Sequence, residues 1–246
     1  STSIYLNLNY AYNNRYLLDV NYRKDGSSVF GTNKRFTDSW SVGVAWNIHN
    51  EAFIGDWVNW LKLRFSVGNP GNQNFSAYKA YTTYVYNTNL QNAFGMGANV
   101  SGFGNPDLKW QKTMDYNLGL DFTFLKGRLG GSIDVYHKST TDLLNNRQLP
   151  SLIGYTSVKA NIGEIWNRGL ELSLHSTNIQ NSILTWRTSF NLMYNKNTIK
   201  HLYGIMEDIT DADGKVIGRK EADDIDNGYF IGHALDEVWG YKYEGV

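Results

Sequence analysis

Five histidines and one run of carboxylates are the residues here whose types could ligate a metal or move a proton. His49, His137, His175, His201 and His233 stand singly, without the close pairing that a zinc motif needs. There is no cysteine, which excludes a thiol nucleophile, a thiolate metal centre and a disulfide framework. No GxSxG elbow presents a nucleophilic serine. The acidic tract from Glu207 to Asp226 contains DITDADG. With Gly214 at the sixth position of a calcium loop, however, Ile209 and Lys220 fall at the first and twelfth positions, where carboxylates are required. A hairpin turn at Asp213-Gly214 in a solvated loop is the reading that fits. The glycine-rich GMGANVSGFG (95–104) lacks phosphate-loop spacing and reads as turn chemistry. The expectation is of no catalytic residue, no metal and no cofactor.

Binding chemistry is better represented. YKAYTTYVYNTN (78–89) carries Tyr78, Tyr81, Tyr84 and Tyr86, and a tyrosine offers a flat apolar face with a hydroxyl tip, suited to stacking on sugar rings or peptide backbone. These four are the candidate substrate-binding residues.

The elements that must position them are strands. In NPDLKWQKTMDYNLGLDFTF (105–124), Leu108, Trp110, Met114, Tyr116, Leu118, Leu120, Phe122 and Phe124 share one parity, and Lys109, Gln111, Thr113, Asp115, Asn117 and Asp121 share the other. Alternation of this kind gives a strand one apolar and one polar face. Similar ladders begin near Ile4, Tyr16, Trp40, Leu61, Ile133, Leu170 and Leu184, about eight in all. Each is long enough for the roughly 9 to 11 residues that cross a bilayer at a tilt. Connections alternate between short (13–15, 125–128, 178–182, with a medium one at 49–59) and long (24–36, 69–107, 145–163 and from 203). An up-and-down outer-membrane barrel has this asymmetry of turns and loops. Aromatics of the apolar parity gather at the short-turn ends: Tyr10, Tyr12, Tyr16, Trp46, Trp57, Trp60, Phe122, Phe124 and Trp186. That is the place of an interfacial girdle. The polar parity supplies charges of both signs, among them Asp19, Arg23, Lys62, Arg64, Asp115, Asp121, Asp134, Lys138, Glu171 and Arg187, which leans toward a neutral or zwitterionic cargo.

Composition agrees. Aromatics make up 15% and charged residues 19%, with 24 Gly and 3 Pro, a mixture that suits strands and turns. A net charge of zero removes the electrostatic case for nucleic acid. No apolar run approaches the length of a transmembrane helix, but barrel strands escape that test because only alternate residues are apolar.

The ladder of 105–124, followed by GRLGGSIDVYHKSTTDLL (127–144) and NIGEIWNRGLEL (161–172), resembles the SusC/RagA-like TonB-linked outer-membrane transporters of Bacteroidetes. YRKDGSSVFG (22–31), AWNIHNEAF (45–53) and LKLRFSVGNPGNQN (61–74) carry the same resemblance, in the same order, over nearly the whole chain. It implies an all-β, antiparallel, transmembrane barrel of roughly 22 strands closed by a plug, of which residues 1–246 are about a third. It also implies outer-membrane import of oligosaccharides or peptides, energy from TonB, and a SusD-like surface lipoprotein as partner. The chain reads as an excerpt, with the signal peptide, plug and C-terminal strands outside it. Two rival readings are a passive porin or structural barrel, and a soluble carbohydrate-binding β domain. The latter requires the bulky apolar side chains to be buried against a second protein layer.

Overall fold

The computed structural model describes residues 2–26, 35–70, 81–92, 95–102, 104–148, 152, 157–161, 163–202, 204, 206–212, 214–225 and 227–240. Its strands, in chain order, are β1 (Thr2–Tyr12), β2 (Tyr16–Gly26), β3 (Phe36–Asn47), β4 (Val58–Asn69), β5 (Thr83–Asn92), β6 (Gly95–Gly102), β7 (Lys112–Phe124), β8 (Leu129–Thr141), β9 (Leu144–Gln148), β10 (Ser157–Asn161), β11 (Glu164–Gln180), β12 (Thr185–His201), β13 (Met206–Thr210) and β14 (Val216–Glu221). Eight of them make one antiparallel sheet in the order β1-β2-β3-β4-β7-β8-β11-β12, each strand beside its predecessor, with β1 and β12 as its edges. The remaining six form three hairpins, β5–β6, β9–β10 and β13–β14, all within the long connections at one end of the sheet. At the other end the connections are tight. Asn13 and Asn14 both adopt positive φ, as a primed turn demands, and the Arg15 N–H closes the turn on the Tyr12 carbonyl.

Nothing covers either face of this sheet among the described residues. The buried hydrophobic residues there are Val58, Leu108, Trp110 and Ile199, while Leu8, Tyr10, Phe65, Leu118, Phe190 and Leu192 are exposed. A compact protein of 28.0 kDa would expose about 11,000 Å²; this chain exposes 17378 Å². The apolar parity therefore has no second protein layer, and the soluble-domain reading fails on that point.

Register lines up the two faces across all eight strands. Tyr10, Leu18, Val44, Phe65, Leu118, Val135, Leu170 and Tyr194 form one continuous cross-strand row. A one-residue slip anywhere would exchange such a row for a polar one, so burial in lipid fixes the register. Lower in the band, the row of Trp46 on β3 reaches β12 at Leu192, yet the marker aromatic of β12 is Trp186. Over five strand-to-strand steps the edge thus drops roughly 20 Å along the strands against about 24 Å across them. That slope is about 40°, within the tilt that barrel closure imposes.

The girdle is tethered at the short-turn end. Glu51, on the connection between β3 and β4, accepts hydrogen bonds from Trp46 Nε1 (3.0 Å) and the Tyr16 hydroxyl (3.2 Å) and pairs with Arg15 (3.4 Å). Asn47 and Asn50 both donate to the Asn14 carbonyl, at 2.7 and 2.8 Å. The AWNIHNEAF segment is thus a clasp that folds the medium connection onto the first turn. The Trp46 hydrogen bond, with the Tyr16 hydrogen bond and the charge of Arg15, outweighs partial desolvation and holds the Glu51 carboxyl below its ordinary value of 4.5. A depressed folded pKa means that the clasp contributes fully above that ordinary value and is lost as pH falls through the depressed one. Protection of the amides of residues 47–55 in the folded barrel, measured relative to unstructured peptide exchange at the same pH, is expected to fall on acidification below about pH 4.5. Glu51→Gln is expected to show low protection at every pH, without the acid step.

Three sequence expectations are corrected. The long ladder does not begin at Leu108: β7 starts at Lys112, and Leu108 and Trp110 lie inside the structure, 0% and 3% exposed, not on the lipid face. Pro106 lacks a backbone donor, and a turn closed by the Leu108 N–H on the Asn105 carbonyl redirects the chain beneath the neighbouring loop. GMGANVSGFG is not a turn, since residues 95–102 form β6 paired with β5. The fourth short connection spans 181–184, Asn178 being still within β11. The expected acidic-loop hairpin is present as β13–β14 with Gly214 at φ 79°; Asp213 lies outside the described residues.

Candidate functional site: the lumenal wall and the external hairpins

The polar parity of β4, β7, β8, β11 and β12 forms a wall of hydrogen-bonding groups. At its centre the Arg64 guanidinium grips Asp121 in a two-point contact, Nε to Oδ2 at 2.7 Å and Nη2 to Oδ1 at 3.0 Å, and reaches Asp134 at 3.0 Å. To do so it must cross β7, which it does above Gly119. A Cβ there would lie 2.6 Å from Asp134 Oδ1 and 2.7 Å from the guanidinium carbon. The same device recurs one row higher. The Tyr136 ring lies over Gly169, where a Cβ would come within 2.2 Å of it, and its hydroxyl donates to Asn195 Oδ1 at 3.1 Å. Lys138 pairs with Asp115 at 3.3 Å, and Asn117, Asn167 and Glu171 line the same shallow groove.

At the centre of the wall the mixed charge seen in the sequence is therefore self-paired, Arg64 with Asp121 and Asp134 and Lys138 with Asp115. Half-exposed pairs of this sort add little stability because water screens them; what they do is hold long side chains flat against the wall. Such a surface offers donors and acceptors of both kinds without a strong field of one sign.

Above the wall, at the long-loop end, two connections are stitched together. The Asn161 amide donates to the Lys109 carbonyl (2.8 Å) and the Asp142 carbonyl (3.0 Å), and its oxygen accepts from the Lys109 N–H (2.8 Å). The Lys109 ammonium reaches Asp142 at 2.8 Å. Asn161 thus stands in for a strand neighbour to a segment that has none, and Leu108 and Trp110 are buried beside it. The motif beginning at Asn161 was legible as a resemblance; its mechanical role was not, since no local pattern connects residues 109, 142 and 161.

Of the candidate binding tyrosines, Tyr84 and Tyr86 share a face of the β5–β6 hairpin opposite Val100 and Ala98, and are 63% and 71% exposed. Both rings are thus largely open to solvent. Tyr81 precedes the strand at 40% exposure, and Tyr78 lies outside the described residues. The hairpin belongs to a different sheet from the wall.

An open, tilted, single-layer sheet with an apolar face, an aromatic girdle and a charge-paired inner wall is a section of a transmembrane β-barrel. The family model described as "TonB dependent receptor-like, beta-barrel" matches residues 1–236, and the chain belongs to that family. Its place is accordingly the outer membrane. It is 39% identical over 80% of its length to the TonB-dependent receptor SusC of Bacteroides thetaiotaomicron, and 35% identical over all of it to a TonB-dependent receptor of Formosa agariphila. The chain spans only 20% and 22% of those two relatives. Among solved structures it is similar to the RagAB peptide transporter, with TM-score 0.76 and 31% identity over 84% of this chain and 23% of that one. It also resembles the closed-closed state of the RagAB peptide importer, with TM-score 0.77 and 27% identity over 96% of this chain and 30% of that one. The SusC/RagA resemblance read from the sequence is thus borne out. These relatives are receptors and transporters, which points away from enzymatic activity.

Proposed function

We propose that residues 1–246 are part of one barrel domain of a longer TonB-dependent importer of oligosaccharides or peptides, with no catalytic role. In this reading a SusD-like lipoprotein covers the external loops, cargo is captured between them, and TonB drives passage through a plug held elsewhere in the protein. The observation that carries it is the likeness to the RagAB peptide importer over 96% of the chain. The self-paired wall supports it too, because a lumen without a strong field suits a neutral or zwitterionic solute. A passive porin has no need of TonB, so the decisive experiment is uptake by cells producing the full-length protein with and without TonB. Import abolished without TonB is the expected result; undiminished import would return the reading to a passive pore.

Tyr84, Tyr86 and Tyr81, with Tyr78, are the proposed cargo contacts. Stacking on an aromatic ring contributes about 0.5–1.5 kcal/mol, so Tyr84→Ala with Tyr86→Ala is expected to weaken cargo binding by roughly tenfold, measured by calorimetry on the purified complex. Unchanged affinity with correct folding would remove the hairpin from the site.

A further inference from the structure

On β8, β11 and β12 the outward parity gathers basic residues next to one another. His137 on β8 pairs directly with Arg168 on β11, and Arg168 with Lys196 on β12, so three basic side chains stand side by side. They occupy the outward row immediately above Leu118, Val135, Leu170 and Tyr194, toward the long-loop end. Arg168 Nε donates to His137 Nδ1 at 3.3 Å. One row higher Trp166 sits between two cations, with the Arg168 guanidinium carbon 4.8 Å and the Lys200 ammonium 4.5 Å from its ring centroid.

These cations are treated differently from those at the centre of the inner wall. Arg64 and Lys138 each carry a carboxylate, whereas among the described residues no carboxylate forms an ion pair with Arg168, Lys196 or Lys200. Glu164, on the same strand as Arg168, accepts from Trp166 Nε1 and the Ser139 hydroxyl, and Asp236 accepts from Asn197, the neighbour of Lys196. Like charges gathered on a lipid-facing surface repel one another and call for an anion from outside the chain.

The surface below them has a shape to match. An apolar groove runs down the outward face between Tyr116 and Tyr194, floored by Leu118, Val135 and Leu170, with His137, Arg168 and Lys196 at its head. A groove of acyl-chain character capped by guanidinium and ammonium groups is complementary to one kind of molecule. We propose that it seats an anionic lipid of the outer leaflet, a phosphate on Arg168 and Lys196 and an acyl chain along the groove. Arg168 suits the role because its planar fork can take two phosphate oxygens at once. This rests on the outward assignment of the face and on the outer-membrane setting, and not on what the protein imports.

The test uses the full-length protein folded in detergent, with native mass spectrometry to count bound lipid. The probes are bisphosphorylated lipid A, its dephosphorylated derivative and inorganic phosphate. Wild type is expected to retain the phosphorylated lipid, and Arg168→Gln with Lys196→Gln to lose it at least tenfold. The charge-preserving exchange of Arg168→Lys with Lys196→Arg should keep most of it, and Lys24→Gln, at an outward cation on β2 already paired with Asp38, all of it. If the double glutamine variant does not fold, Lys196→Gln alone, at an exposed position, should still lose retention at least threefold. Equal retention by wild type and the glutamine variants would overturn the proposal, as would equal retention of the dephosphorylated lipid. Displacement by inorganic phosphate at the same concentration would assign the cluster to free anions and overturn it likewise. Lipid retention does not require import, so either proposal can fall while the other stands.

Discussion

Leu118→Arg is expected to impair folding of the full-length protein into a bilayer, lowering the folded yield well below that of wild type, while Asn117→Arg folds. The two residues are neighbours on β7 and differ only in the face they present. Leu118 lies in the middle of the outward row, between Phe65 and Val135, and a guanidinium at mid-bilayer depth costs about 2–4 kcal/mol. That is a large fraction of the roughly 5–15 kcal/mol by which folded proteins exceed their unfolded chains. Asn117 lies between Ser66 and Tyr136 on the inner wall, where an added cation meets water and the carboxylates of Asp115 and Asp134. The measurement is the folded fraction after insertion into liposomes, read from heat-modifiable electrophoretic mobility. Equal yields for the two variants would mean that hydrocarbon is not the solvent of the Leu118 face.

Asn161→Ala is expected to release the segment 105–111 from the neighbouring loop without unfolding the barrel. Three hydrogen bonds are lost, each worth a net 0.5–1.5 kcal/mol, so the local cost is about 2–4 kcal/mol. The loss also uncaps Leu108 and Trp110, whose burial depends on that segment staying in place. Hydrogen exchange at 108–110 should therefore accelerate by roughly two orders of magnitude, while exchange in β2 and β3 stays as in wild type. Asn161→Asp should be no better. Its oxygens would face the carbonyls of Lys109 and Asp142, which the amide now serves as donor. Wild-type exchange at 108–110 in the alanine variant would show that the burial of Trp110, not the amide, holds the segment.

Much of the fold could be read before any coordinate. Eight ladders became the eight strands of the main sheet, and the alternation of short and long connections became its two ends. Period two is a strictly local property, so it survives in sequence wherever one face is apolar. Three features were not legible for the same reason. Leu108 and Trp110 continue the parity of β7 on paper, yet a turn at Pro106 moves them out of the strand. The glycines of β6 look like turn residues because they interrupt a short alternation of Met96, Ala98 and Val100, in a strand that pairs only with β5. The Arg168 cluster was invisible because His137, Arg168 and Lys196 lie far apart in sequence and meet only through two strand registers.

The amino-acid sequence by itself determined the class of this protein: alternating apolar and polar residues at bilayer-spanning length, punctuated by turns, leave a membrane barrel wall as the way to satisfy both faces. Only the tertiary structure decided which side chains meet. Arg64 reaches Asp134 across Gly119, Tyr136 reaches Asn195 across Gly169, Asn161 stitches two loops, and a basic head caps an outward groove. Each of these is a contact between strands or loops, set by register and tilt, and register is a relation between segments that neither segment encodes alone.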